Sequence, residues 1–325
     1  MTQPEDWTLP SALRPKPGDY AYDLDQALLS VVSLRAQVPA DAFTAGILGT
    51  ERMGSGVLID ASGVVLTIGY LVTEAEDVWL TTGGGRVVPG HVLAYDQVTG
   101  FGLVQALARL DVPALPLGDS SAATVGERVV LAGAGGRARS VAARIVARQE
   151  FAGYWEYVLD EAIFTAPAHP LWGGTALIGP GGDLLGIGSL QLEQAGSGET
   201  GRPINMIVPV DLLKPIRDDL MRFGRPNRPA RPWLGLYATE AENRVVVMGL
   251  APGGPAERAG LETGDIVLAV AGRAVGTLAS FFRRVWSLGE AGVEVPLAIH
   301  REGKTFERRI DSADRTSFLK APPLH

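Results

Sequence analysis

GSGVLIDASGVVLTIGYLV, Gly54–Val72, decides how this chain is read. Gly56–Asp60 and Gly63–Ile68 are short apolar, β-branched runs, and Ala61-Ser62-Gly63 supplies turn residues between them, so the stretch reads as strand, turn, strand. Tyr70 stands just past the second strand, the place where a strand hands a side chain to a site.

Outward from this hairpin the same rhythm repeats. Short strand candidates run Asp77–Thr82, Arg86–Asp96, Phe101–Ala106, Glu127–Gly133, Val141–Glu150, Glu156–Ala166, Thr175–Gly179, Asp183–Leu192 and Ile204–Val210, separated by Gly, Asp and Pro turns. Many short, evenly spaced strands point to an all-β sandwich or barrel. Upstream, Asp23–Val38 reads as a short amphipathic start followed by a β-branched run, and residues 1–22 as an irregular Pro-rich arm. Downstream the period changes: in Asp211–Arg225, Leu212, Leu213, Ile216, Leu220 and Phe223 share one helical face, with Gly224 as a stop. The three prolines of RPNRPARP, Arg225–Pro232, give a semi-rigid spacer. A second domain follows, with strands at Trp233–Ala238 and Asn243–Leu250, a helix at Thr277–Glu290 and two strands up to Ile310. The expected organisation is an arm at 1–22, a β domain at 23–225, an α+β domain with its linker at 226–311 and a tail at 312–325.

The bulk numbers exclude several functions. A length of 325 residues suits two domains. The net charge of −7 gives no electrostatic attraction to nucleic acid or anionic lipid. Without cysteine there is neither a disulfide nor a thiolate site. Four scattered histidines, His91, His169, His300 and His325, lack metal spacing. The glycine runs Thr81–Arg86 and Gly133–Ser140 read as turns, since neither continues as a phosphate loop. No cofactor or metal is expected. No apolar run of about 18 residues and no basic-then-apolar leader occurs, so the chain as written is expected in the cytoplasm without a membrane span, or in the periplasm if a leader was removed.

The combination of GSGVLID, LPLGDS (Leu115–Ser120), VGERVVLAG (Val125–Gly133), SVAARIV, GGDLLGIGS and a Pro-rich linker before the second domain resembles, in order and spacing, the HtrA/DegP family of trypsin-like serine proteases. The resemblance covers about residues 23–310. It implies a mainly β fold, a trypsin-like double β-barrel followed by a PDZ-like α+β domain that binds peptide C-termini, and assembly into trimers. It also implies where a catalytic triad should lie. Tyr70, in TIGYLV, stands at the family's histidine; Gly100, in DQVTGFG (Asp96–Gly102), at its aspartate; Gly173, in HPLWGGTAL (His169–Leu177), at its serine.

Triad hydrolysis needs a hydroxyl nucleophile, a base titrating near the working pH and a carboxylate to orient it. Gly173 and Gly100 offer no side-chain atoms, and a phenol with an ordinary pKa of about 10 is a donor at pH 7, not a base. Losing a triad costs on the order of 10⁶ in kcat. An oxyanion hole needs only backbone N–H groups, but WGG is one residue short of the family loop, so the hole is expected to be distorted or filled. One rebuilt pair can be named, His169 with the Thr175 hydroxyl.

A PDZ-like domain adds a peptide as a strand and takes its terminal carboxylate on backbone N–H groups. By the resemblance, RPWLGL places Trp233, Leu234, Gly235 and Leu236 at that loop, with Arg231 as a charge partner. In Thr277–Glu290, Leu278, Phe281, Val285 and Leu288 form one apolar row and Ala279, Phe282 and Trp286 a second. One row must face the sheet; if the first does, Phe282 and Trp286 line the peptide groove, the alternative being a helix buried on both sides. Three functions therefore stand open. They are an inactive protease homologue binding peptides or a protein partner, an active endopeptidase rebuilt on His169 and Thr175, and a structural or chaperone-like oligomer with Trp7, Tyr20 and Tyr22 at its interface.

Overall fold

The computed structural model describes residues 8–194 and 201–320. It divides into two compact units, the first holding the chain up to Gln149 and Glu161–Asn227, the second holding Glu150–Asp160 and Arg228–Lys320.

In the first unit the β-branched runs close into two six-stranded antiparallel barrels. Strands β1 (Val31–Gln37), β2 (Glu51–Asp60), β3 (Val64–Ile68), β4 (Asp77–Thr81), β5 (Val87–Tyr95) and β6 (Phe101–Ala106) form one, in the order β1-β2-β3-β6-β5-β4. Strands β7 (Arg128–Ala132), β8 (Ser140–Gly153), β9 (Tyr157–Ala166), β10 (Ala176–Ile178), β11 (Leu184–Gln194) and β12 (Arg202–Pro209) form the other, in the order β10-β11-β12-β9-β8-β7. Closure leaves no edge to aggregate. The opening hairpin is the β2–β3 pair, with Val57 opposite Leu66 and Leu58 opposite Val65. Val57, Val65, Leu66, Leu103 and Val104 are wholly buried in the first barrel. The second barrel buries Val129, Leu131, Val141, Ile163, Leu177 and Ile207 in one cluster.

Two expectations change here. The arm is irregular, because prolines at 10, 15 and 17 remove backbone donors, yet it is not loose: Leu9 joins the second barrel's core and its N–H donates to the Ala138 carbonyl at 2.9 Å. The expected helix over Asp211–Arg225 is broken. A 3-10 turn at Val210–Leu212 precedes the helix Arg217–Phe223, and Pro215, which lacks an N–H and clashes with the preceding turn, lies between them. Two shorter helices, Leu24–Leu28 and Ala45–Leu48, flank β1 in sequence, the first capped by the Asp23 carboxylate on the Gln26 N–H.

The second unit is a sheet of β13 (Leu236–Ala241), β14 (Arg244–Leu250), β15 (Ile266–Val270), β17 (Glu294–Arg301) and β18 (Lys304–Asp311), in that order, with the short β16 (Arg273–Ala274) on β15. A short helix lies at Pro255–Arg258, and the long helix at Leu278–Trp286 starts in a capping box between Thr277 and Ser280. The expected tail is partly structured: Trp233 and Ala313 exchange both backbone hydrogen bonds at 3.0 Å, and the Phe318 ring lies 4.8 Å from that of Trp233.

Candidate functional site

Strand β3 ends in a 3-10 turn, Gly69–Leu71, which fixes Tyr70. A buried polar network holds the turn. Arg52 donates to the Tyr70 carbonyl, the Thr73 carbonyl and the Thr44 hydroxyl, each at 2.8 Å, and Glu74 accepts from the Thr44 amide at 2.8 Å. The Tyr70 hydroxyl donates to the Ser189 carbonyl at 2.9 Å. Burial pushes the phenol up from its ordinary value, opposed by the Trp172 side chain, whose indole N–H is a donor only. Tyr70 is therefore a neutral donor at pH 7.

The Trp172-Gly173-Gly174 turn packs against β2. The Gly173 carbonyl accepts from the Ser55 N–H at 2.9 Å. A Cβ at 173 would lie 2.9 Å from the Tyr70 hydroxyl, and one at 174 would lie 1.8 Å from the Ser55 carbonyl, on a backbone with φ of 77°. Only glycine fits the second position. The third position, Gly100, joins the same cluster: its carbonyl accepts from the Gly69 N–H at 2.7 Å, its own N–H donates to the Asp96 carbonyl at 2.8 Å, and its φ is 83°. The three positions picked from the sequence thus come together, bearing one phenol and no imidazole, carboxylate or aliphatic hydroxyl.

His169 and Thr175 have separate backbone partners. The His169 Nδ1 accepts from the Leu171 N–H at 3.0 Å and Nε2 lies 2.9 Å from the Arg139 carbonyl, which assigns the neutral Nε2–H tautomer. Burial lowers its pKa. The Thr175 hydroxyl donates to the Trp172 carbonyl at 2.8 Å. The Leu171 N–H, two residues before Gly173, is thereby turned onto an imidazole.

In the second unit the loop amides of Leu234, Gly235 and Leu236 converge on one carboxylate, but it is the chain's own. Glu156, at the tip between β8 and β9, accepts from Gly235 at 2.7 Å, from Leu234 at 3.1 Å and from Leu236 at 3.2 Å. No sequence pattern marked it; the local signal is an acidic residue in an aromatic turn, GYWEY. Arg231 stacks its guanidinium 4.4 Å from the Trp286 ring centre. Trp233 is buried beside Phe318 and closes over Gly235. Leu278, Phe281 and Val285 of the first row are buried, and so are Ala279 and Phe282 of the second, with Val158 of the β8–β9 tip in the same apolar cluster. In the two apolar rows, Trp286 and Leu288 are the half-exposed members.

The remaining candidates lie elsewhere. His91 sits on β5, and the His300 Nδ1 is 3.4 Å from the Thr305 hydroxyl. Among the described residues no group of three or more His, Cys, Asp or Glu is placed to hold a metal ion, and no helix is long and apolar enough to cross a membrane. Tyr20 and Tyr22 pack on each other with ring centres 5.6 Å apart, and Tyr22 lies against Gly182. Trp7 and His325 fall outside the described residues.

Residues 54–187 match the family model of the trypsin-like peptidase domain, and residues 232–311 that of the PDZ domain. A trypsin-like double barrel followed by a PDZ domain makes the chain HtrA/DegP-like. It is 26% identical over 278 residues to the periplasmic serine endoprotease DegP of Salmonella typhimurium, covering 80% of this chain and 56% of DegP. It is 23% identical to the serine endoprotease DegS of Escherichia coli, covering 81% of this chain and 77% of DegS. The solved serine endoprotease from Yersinia pestis shares the fold with a TM-score of 0.51 at 23% identity, over 89% of this chain and 95% of that one. The match thus spans little more than half of the DegP chain.

Proposed function

We propose that this chain is a catalytically inactive homologue of the HtrA serine proteases that binds peptide or protein C-termini through its PDZ domain. One observation carries the first half: the Tyr70 hydroxyl stands 2.9 Å from where a side chain on residue 173 would begin. The space a nucleophile needs is filled by a group that is a donor at pH 7, and Gly100 offers nothing to orient a base. The separate partners of His169 and Thr175 weigh against the rebuilt site, and the Leu171 N–H turned onto His169 weighs against a working oxyanion hole.

The test is incubation of the pure full chain with unfolded casein and with a fluorophosphonate probe. Neither cleavage nor labelling is expected. Cleavage that disappears on Thr175→Ala removes the reading and installs the rebuilt endopeptidase in its place. A homotrimer belongs to the same proposal on the strength of the resemblance, and light scattering that gives a monomer strikes it out. Of the two compartments weighed from the sequence, the periplasm agrees with the name of the DegP relative.

A further inference from the structure

A PDZ carboxylate loop offers converging backbone N–H groups to the last residue of a peptide, and the strand beside it pairs with the residues upstream. Buried N–H groups need an acceptor. Here they already have one. The Glu156 carboxylate receives Leu234, Gly235 and Leu236, and the residue is 5% exposed.

The match extends beyond the carboxylate. Two residues upstream, the Tyr154 carbonyl accepts from the Ala238 N–H of β13 at 3.0 Å, as a strand added to that edge would. Two residues downstream, Val158 is buried in the same apolar cluster as Leu234, Leu236, Phe281 and Phe282. Arg283, on the helix Leu278–Trp286, forms ion pairs with both sides of the tip, with Asp160 at 2.5 Å and with Glu150. Glu156 itself has φ of 59°. A non-glycine residue is rarely held there unless surrounding contacts demand it, and such positions cluster at clamps and switches.

We propose that the tip Glu150–Asp160 is a built-in ligand of the PDZ domain, with the Glu156 side chain standing in for a peptide's terminal carboxylate, so that an incoming C-terminus binds only by displacing it. This rests on the reading that the loop takes peptide carboxylates. The site's affinity for free peptide is the intrinsic affinity reduced by the fraction of molecules with the tip released. The ligand class is an extended peptide with a free C-terminal carboxylate; an amidated peptide, lacking the charge, does not compete.

The experiment uses the full chain and fluorescent decapeptides ending in Val, Leu, Ile or Phe, each as free acid and as amide. Glu156→Ala is expected to bind at least one free-acid peptide tenfold or more tightly than wild type, with no gain for the amides. Arg283→Ala, which leaves the loop untouched, is expected to give a smaller gain of the same kind, and it stands in if Glu156→Ala does not fold. Hydrogen exchange supplies a readout without peptide: the Gly235 and Leu236 amides are protected in wild type and exchange at least tenfold faster in Glu156→Ala. Equal binding and equal exchange in wild type and both variants overturn the built-in ligand while leaving the PDZ reading intact. Faster exchange in the variants with no peptide bound by any of them upholds the Glu156 contact but removes the peptide reading, and the proposal with it.

Discussion

Tyr70 and residue 173 compete for one space: the Tyr70 hydroxyl lies 2.9 Å from the ideal Cβ of residue 173, and its hydrogen bond to the Ser189 carbonyl holds it there. Gly173→Ser alone is therefore expected to destabilise the first unit by about 1–3 kcal/mol through overpacking, without gaining activity. Tyr70→His with Gly173→Ser should lose less than the sum of the single changes, because the two side chains no longer collide. Urea unfolding of the two single variants and the double variant measures the coupling. Fluorophosphonate labelling should stay absent in all three, since Gly100 supplies no orienting carboxylate.

Gly174→Ala should be far more damaging. The new methyl would sit 1.8 Å from the Ser55 carbonyl on a backbone with φ of 77°, so both steric clash and backbone strain apply. A loss on the order of 4 kcal/mol or more is expected, read as a collapse of soluble yield or a large fall in the urea midpoint. Gly136→Ala is the comparison, since it shares the positive φ but has nothing within 4 Å of the added methyl. It should cost only about 1 kcal/mol.

His169 makes the first unit sensitive to acid. Burial holds its pKa below the ordinary 6.5, so the unfolded chain takes up a proton that the folded one refuses. Its contribution is fully present above pH 6.5 and is lost as pH falls from there towards the folded pKa, at about 1.4 kcal/mol per pH unit at most. Unfolding at pH 7.5 and 5.5 should show the loss in wild type, and His169→Asn should flatten that part of the slope.

Glu156 titrates in the opposite sense. Burial outweighs the three amide donors and pushes its carboxyl up to about 7, with the Arg315 charge also opposing; Tyr154 and Tyr237 are the other titratable groups that share this electrostatic environment. The docked tip thus keeps a proton that the released tip gives up from about pH 4.5. Docking is strongest below pH 4.5, weakens as pH rises to 7 and is flat above. Protection of the Gly235 and Leu236 amides, corrected for intrinsic exchange, should be about twentyfold greater at pH 5.5 than at 7.5, and the Glu156 carboxyl carbon should titrate near 7 by NMR. A midpoint near 4.5 refutes this.

Much of the fold was written in short-range pattern. The runs around Val57, Val65, Val104 and Val129 alternate with Gly and Asp turns closely enough to place the barrel strands, and Thr277 and Gly224 mark helix ends. Tyr70, Gly100 and Gly173 were picked out by the family resemblance and not by periodicity, and the contacts of Tyr70 with residue 173 and of Gly69 with Gly100 bring them to one place. What stayed hidden depends on distant partners. Glu156 acquires its meaning from amides 78 to 80 residues away, and a hairpin tip gives no hint of them. For Phe282 periodicity shows that two apolar rows exist but not that Val158, more than 120 residues earlier in the chain, joins the cluster that buries it. Leu9 sat in a Pro-rich stretch whose composition says irregular, which it is, but does not say unpacked.

The tip that carries Glu156 is continuous with β8 and β9, so it is tethered to the loop it fills. Tethering gives it an effective concentration on the order of millimolar or above that no dilution of the protein lowers. A single free C-terminus at cellular micromolar levels competes poorly with such a neighbour. On the proposed reading, avidity would favour a partner at this site: a chain that presents several C-termini at once, or one that holds a second surface of this protein while the first end waits for the tip to lift.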